Sequence, residues 1–278
     1  MKSIAVIGLG LIGGSIAKAV KQNSDIKVIG WNRNDLVSSQ ALQDGAIDQI
    51  WDKQSPLCAD LIIIAFPPDA TISFLWEHAH LFQKGTLVTD VCGIKRHIVN
   101  ECGTICEQHG LTFIGGHPMA GKEKGGYANT DAVLFNKASY VLTPTESTPE
   151  HAVERMKEFV DILKVGSLTV TTPKNHDRMI AFTSQLPHVL AGSYVKSPSC
   201  PERKGYSAGS FMDVSRVATA DENLWSELFL FNSEYLSQEI DILIANLTAY
   251  REAIQKGDKA QLSAIIKEGR LIKEADIR

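Results

Sequence analysis

The sequence predicts an α/β protein: a Rossmann-type, doubly wound parallel sheet followed by an all-helical domain. Three observations carry that expectation. Short apolar runs alternate with amphipathic stretches through the first two-thirds of the chain, the pattern of strand and helix in turn. A glycine-rich turn, Gly8-Leu9-Gly10-Leu11-Ile12-Gly13-Gly14, joins the first run to the first amphipathic stretch. After Pro173 the strand patterns stop and only helical periodicity remains.

Residues 4–7, 27–31, 61–66, 87–91 and 112–114 are apolar runs of the length that buried parallel strands take. Between them, residues 11–21, 35–44, 70–81 and 94–109 carry apolar side chains at helical spacing, so right-handed crossovers connect the strands. Residues 139–142 and 168–170 read as added strands flanking a helix that Pro149 starts near His151 and that ends near Lys164. Further on, Leu224, Leu228, Phe231, Tyr235, Ile240, Leu243 and Leu247 line one face of a single long helix. Leu262, Ile265, Ile266 and Ile272 mark another, and the Pro-, Ser- and Gly-rich residues 197–209 form a loop. The division falls between residues 172 and 173, giving an α/β domain (1–172) and an all-helical domain (173–278).

The chain has 278 residues, 44% of them hydrophobic and 22% charged, which is globular composition rather than disorder. A net charge of −4 argues against a partner bound through general phosphate attraction, so no nucleic acid is expected. The first residues run straight into a strand without a secretory pattern, and the run 61–66 is far too short to span a membrane. Cys58, Cys92, Cys102, Cys106 and Cys200 are an odd number without framework spacing and read as reduced thiols, so the protein is expected in the cytoplasm.

The glycine turn calls for a dinucleotide. Gly8 allows the tight turn, Gly10 lets backbone approach a pyrophosphate, and Gly13 lets helix and strand pack closely. Leu11 and Ile12 then open a helix whose N-terminal N–H groups face the phosphates. At the end of the second strand, where NAD sites place an acid, the chain reads Asn32-Arg33. A guanidinium there suits a 2′-phosphate, so NADP is favoured, with NAD or dual use open. Asp90, ending the fourth strand, completes the expected cofactor set.

The segment Gly115-Gly116-His117-Pro118-Met119-Ala120-Gly121-Lys122-Glu123 follows the strand 112–114. His117 therefore falls at the carboxyl edge of the sheet, where ligands bind in such folds, with its backbone restricted by Pro118. An imidazole beside a nicotinamide site is a candidate catalytic base.

The stretch from His117 to Glu123 resembles the His-Pro-x-Ala-Gly-x-Glu motif of the prephenate/arogenate dehydrogenase family of tyrosine biosynthesis. His176-Asp177 with Ser184-Gln185-Leu186-Pro187-His188, the segment Phe211-Met212-Asp213-Val214-Ser215-Arg216, and Trp225 are similar to further family segments in the same order. The resemblance implies oxidative decarboxylation of prephenate to 4-hydroxyphenylpyruvate, with arogenate, or both substrates, as the alternative. It implies His117 as base, Arg216 as the fork for the ring carboxylate, and His176, Ser184 and His188 as polar substrate contacts. Glu123 and Asp213 are implied as ionic partners of Arg216, Gly125-Gly126 as the hinge of a lid, and the helical domain as the seat of a homodimer. The chain departs from many relatives at Gly93, where they carry a serine that aligns the histidine. Cys92 beside it is a poor substitute donor.

Other readings exist. Cys102, Cys106, His109 and His97 share a helical stretch, but no second ligand pair stands at zinc-finger distance, so no metal is expected. A β-hydroxyacid dehydrogenase would need a lysine between Asn175 and Val195, where this chain has none. A non-catalytic nucleotide-sensing dimer would make the pocket residues incidental.

Overall fold

The computed structural model describes residues 1–276. Its first domain contains strands β1 (Ser3–Ile7), β2 (Lys27–Trp31), β3 (Gln49–Ile50), β4 (Leu61–Ile64), β5 (Leu87–Asp90), β6 (Thr112–Pro118), β7 (Ser139–Thr143) and β8 (Ser167–Val170). Helices α1 (Leu11–Asn23), α2 (Asp35–Gln43), α3 (Pro68–His78), α4 (Arg96–Gln108) and α5 (Glu150–Ile162) connect them. The sheet order is β3-β2-β1-β4-β5-β6-β7-β8. Strands are added in one direction from β1 to β3 and in the other from β4 onward. The order thus switches between the parallel β1 and β4, which opens the crevice where such folds bind ligands.

Residues Ile4–Ile7 of β1 and all of β4 are apolar and buried because both faces of the sheet are covered there. On β1, Ile4 and Val6 enter a core shared with α1, α2 and α5, while Ala5 and Ile7 enter a second core with α3 and α4. Leu61 and Ile63 of β4 divide from Ile62 and Ile64 in the same way. Cys102 and Cys106 of α4 are buried in that second core, where burial pushes the Cys106 thiol up to about 12.

Two elements of the sheet differ from the sequence expectation. The two-residue β3, too short to give a periodic signal, pairs with β2 at the sheet edge. β6 does not end at Ile114 but continues through His117 and Pro118, paired antiparallel with β7 (Gly116↔Leu142, His117↔Val141). Gly115 and Gly116 explain the extension. A Cβ on the first would lie 2.4 Å from Thr143 Oγ1, and on the second 2.6 Å from the Tyr140 hydroxyl. Only bare backbone lets β7 close against this strand.

The second domain contains α6 (Pro173–Ile180), α7 (Leu186–Tyr194), α8 (Gly209–Ser215), α9 (Glu222–Phe231), α10 (Ser233–Lys256) and α11 (Lys259–Asp276). A π-turn, Ala181–Gln185, joins α6 to α7. Pro187 has no N–H to give to residue 183, and Leu186 N–H reaches back to Ala181 O instead. The single long helix expected from Leu224 to Leu247 is two helices broken at Asn232, whose φ of −118° and ψ of 22° are not helical. Its buried amide donates to Asp177 O at 2.9 Å and to Gln185 Oε1 at 2.7 Å. These bonds tie the break to α6 and offset the lost helical turn. No helix among the described residues is long and apolar enough to cross a membrane.

Helix α9 joins the two domains. Leu228 is buried in the core of the α3–α4 face, with Trp225 and Phe231 packed beside it. The Glu227 carboxylate accepts the Asp69 N–H at the start of α3 (2.6 Å), and Glu234 pairs with Arg96 at 2.8 Å. The cleft floor is thus built from both domains.

Candidate active site

The glycine turn has the shape a dinucleotide needs. Gly8 stands at φ +99°, a left-handed conformation that favours glycine. Its N–H donates to Trp31 O (2.8 Å) and the next amide, Leu9 N–H, to Asn32 Oδ1 (3.1 Å), which ties the turn to the end of β2. A Cβ at Gly13 would lie 1.9 Å from Gly8 O, whereas one at Gly10 would meet nothing within 4 Å. Helix α1 begins there with no side-chain cap and no acid in its first turn, leaving its N–H groups for an anion. This cradle fits a pyrophosphate. Arg33 is exposed just past β2, and Lys53 holds its ammonium 4.7 Å from the centre of the Trp31 ring at the same sheet edge.

Beyond the cradle, the extended β6 delivers His117 to the cleft. Its Nδ1 lies 2.9 Å from His176 Nε2, and its Nε2 lies 4.0 Å from where a Cβ on Gly93 would stand. The same Cβ would lie 3.5 Å from Leu228 Cδ1. Burial, then His176, then the Lys95 ammonium push the His117 imidazole well below its ordinary pKa, so it rests neutral.

Beneath it lies a fully buried ion pair. Asp90 and Lys95 are both 0% exposed and bonded to each other. Asp90 also accepts Cys92 N–H (2.8 Å) and Gly116 N–H (3.1 Å), and so fixes the strand position immediately before His117. The two backbone amides meet the remaining acceptor capacity of the buried carboxylate, which its ion pair with Lys95 alone would leave open.

A second cluster lies one turn along α9. His188 stacks on Trp225 with ring centres 3.5 Å apart and donates from Nδ1 to Ser184 O at 2.9 Å. That bond leaves His188 Nε2 as an acceptor. Burial lowers the His188 pKa, and the charge of Arg216 lowers it further. Trp225 and Leu228 are three residues apart on one helix face, with Cβ atoms about 5–6 Å apart, so the helix face that carries this cluster also reaches Gly93 beside His117.

Residues 16–168 match the family model described as prephenate dehydrogenase, nucleotide-binding domain, and residues 172–268 match the prephenate dehydrogenase dimerization domain. Prephenate dehydrogenase of Bacillus subtilis is 33% identical over 269 residues, covering 94% of this chain and 72% of its own. The chain belongs to the prephenate dehydrogenase family. A cyclohexadienyl dehydrogenase of Zymomonas mobilis is 32% identical, with 96% of this chain and 93% of the relative covered. Among solved structures, Aquifex aeolicus prephenate dehydrogenase in complex with hydroxyphenyl propionate and NAD+ superposes with a TM-score of 0.88 at 26% identity. That match covers 100% of this chain and 99% of the other.

Several expected site residues of this family member have other neighbours than the sequence suggested. Asp90, expected at the cofactor, is buried beneath the sheet edge with both oxygens occupied, because Lys95, Cys92 and Gly116 surround it. His176, expected against substrate, is 3% exposed and uses both ring nitrogens, one on His117 and one on Asp177. Asn32 directs its oxygen to the glycine turn rather than outward. Among the described residues, Arg216 makes no ion pair with Glu123 or Asp213, and all three side chains are exposed. Glu123 rides on a strap pinned elsewhere, by Tyr127 hydroxyl to Asp44 (3.1 Å) and Asp131 N–H to Ser15 (2.9 Å). Cys92 turns its thiol to Phe66 O, away from His117, and does not stand in for a serine.

The sequence reading missed Lys95, Gln185, Leu228 and Asn232. Asn232 carried a signal, a polar residue interrupting an apolar helical face. Lys95 carried none, since an isolated lysine after a strand reads as solvated.

Proposed function

We propose that the protein is a prephenate dehydrogenase that oxidatively decarboxylates prephenate to 4-hydroxyphenylpyruvate. The observation that carries this reading is His117, held at the sheet edge on β6 with Nδ1 2.9 Å from His176 Nε2 and with Nε2 on the side of Gly93. When bound to the glycine cradle (Gly8, Gly10, Leu11, Ile12, Gly13), a nicotinamide dinucleotide supplies the hydride acceptor. His117 Nε2 takes the proton of the ring hydroxyl as that carbon is oxidised. Arg216 holds the ring carboxylate until carbon dioxide leaves, and the electron pair released completes the aromatic ring. The His117 imidazolium then returns its proton to the phenolate oxygen. The proton is borrowed, so the site needs no path to solvent. His188, fixed by Trp225, and Ser184 contact the side chain of the substrate.

Arg33 supports NADP as the preferred cofactor, since no acid at the end of β2 would repel a 2′-phosphate. The cyclohexadienyl relative supports a second reading, in which arogenate is also accepted. The exposed Ile242, Ile244, Leu247 and Ile254 of α10 and Ile266 and Ile272 of α11 support a homodimer through the helical domain, divided from the first domain at residues 172–173.

The test is an assay of purified protein with prephenate or arogenate against NADP+ and NAD+. The reading requires one reduced cofactor and one carbon dioxide per substrate consumed. Cofactor binding without turnover on either substrate would favour a nucleotide sensor instead.

A further inference from the structure

The buried partners of His117 form a chain that the reaction scheme above does not use. His176 Nδ1 lies 2.7 Å from Asp177 Oδ1, and that oxygen also accepts Lys95 N–H at 2.7 Å. Asp177 Oδ2 accepts Arg96 N–H at 2.8 Å. Both backbone groups aimed at the Asp177 oxygens are N–H donors, the surroundings that a carboxylate acceptor suits. Asp177 itself is 1% exposed.

Proton positions follow by elimination. A carboxylate only accepts, so the proton of neutral His176 sits on Nδ1. Its Nε2 is then an acceptor, and the 2.9 Å contact with His117 is filled by a proton on His117 Nδ1. The lone pair of His117 is left on Nε2, the nitrogen nearest Gly93.

We infer that Asp177, acting through His176, is a positioning residue that sets the tautomer of His117 and supports its imidazolium. The inference rests on the reading of His117 as the base. It also gives the domain arrangement a consequence. His117 comes from the sheet and Asp177 from α6, and Asp177 holds both amides of the Lys95–Arg96 segment next to Gly93. A competent base therefore exists only while the two domains are docked. The charged and titratable groups around the pair are Asp177 on α6, Lys95 preceding α4, and Asp90 on β5. Their combined effect with burial keeps both imidazoles neutral at rest, as the proton assignment requires.

Asp177→Asn is the informative change. One of its amide hydrogens would face His176 Nδ1 or a backbone N–H. If it bonds His176, that ring must carry its proton on Nε2, and His117 must then carry its own on Nε2, where it cannot act as base. The expected result is a kcat lower by about 100-fold or more, with KM for substrate and cofactor within about threefold. His176→Gln, which keeps an acceptor for His117 Nδ1, should retain more kcat than His176→Leu.

A second measurement does not depend on turnover or on the folding of Asp177→Asn. Long-range proton–nitrogen NMR of histidine-labelled wild-type protein reads both tautomers directly, with peaks assigned by loss in His117→Asn and His176→Gln. Protons on Nδ1 of both rings support the relay. A proton on His117 Nε2 overturns it, as does an Asp177→Asn enzyme with kcat within threefold of wild type. If His117→Asn remains active, the base assignment fails, while the NMR result still decides the relay.

Discussion

Gly10 and Gly13 sit three residues apart in one turn, yet their replacement by alanine should fail in opposite ways. At Gly13 the added Cβ would lie 1.9 Å from Gly8 O and 2.9 Å from Ala65 Cβ. Carbon atoms rest at roughly 3.5–4.0 Å, and the nearer obstacle is backbone, so turn and helix must separate by about 1 Å or more. Overpacking of that kind costs about 1–3 kcal/mol. At Gly10 the same methyl meets no protein atom within 4 Å, and the backbone (φ −73°, ψ −160°) is one that alanine adopts. Gly10→Ala should therefore leave stability within about 0.5 kcal/mol of wild type. The open space is where the pyrophosphate would approach. Loss of one amide–phosphate bond, about 1.5–3 kcal/mol, corresponds to a roughly 10- to 150-fold weaker cofactor. Urea denaturation and cofactor titration by fluorescence separate the two outcomes. A Gly10→Ala protein that binds cofactor normally, or that loses as much stability as Gly13→Ala, would refute the cradle.

Lys95→Met strands the Asp90 carboxylate at 0% exposure and should lower stability by about 3–5 kcal/mol in urea unfolding; a loss under 1 kcal/mol would mean the pair is not buried in solution. Gly93→Ser adds a hydroxyl where a Cβ stands 3.5 Å from Leu228 and 4.0 Å from His117 Nε2, so it should fold normally and keep or raise kcat. A 100-fold loss in steady-state assays would instead show that the glycine itself is required. The lowered His117 pKa keeps the base form populated under mildly acidic conditions, so kcat/KM should hold through pH 6.5 and fall only as pH drops further through the lowered value. An acid limb centred above pH 6.5 would contradict the assigned environment.

Much of the architecture was legible because it rests on local pattern. The strand runs, the glycine turn and the change of texture at Pro173 each have a period or a residue type that announces them. The position of His117 was legible, but its setting was not. Gly115 and Gly116 read as loop residues, yet they extend β6, because their missing side chains make room for Tyr140 and Thr143 of a strand more than twenty residues away. Asp90 and His176 were read as facing ligands because acids and imidazoles at a cleft often do. Each is instead satisfied within the protein, Asp90 by Lys95 and Gly116 and His176 by Asp177 and His117. The Asp90–Gly116 contact depends on how β6 lies beside β5, and the His176–His117 contact on how α6 docks on the sheet; nothing local encodes either. The break at Asn232 belongs to the same class, since periodicity alone carried the helix through it.

The account turns on His117 as the group that takes and returns the hydroxyl proton, and the kcat of His117→Asn with prephenate and NADP+ or NAD+ tests it most directly. The account predicts a fall of about 100- to 10,000-fold with cofactor affinity preserved and the acid limb of the pH profile lost. A kcat within about threefold of wild type, with the same pH dependence, would contradict it.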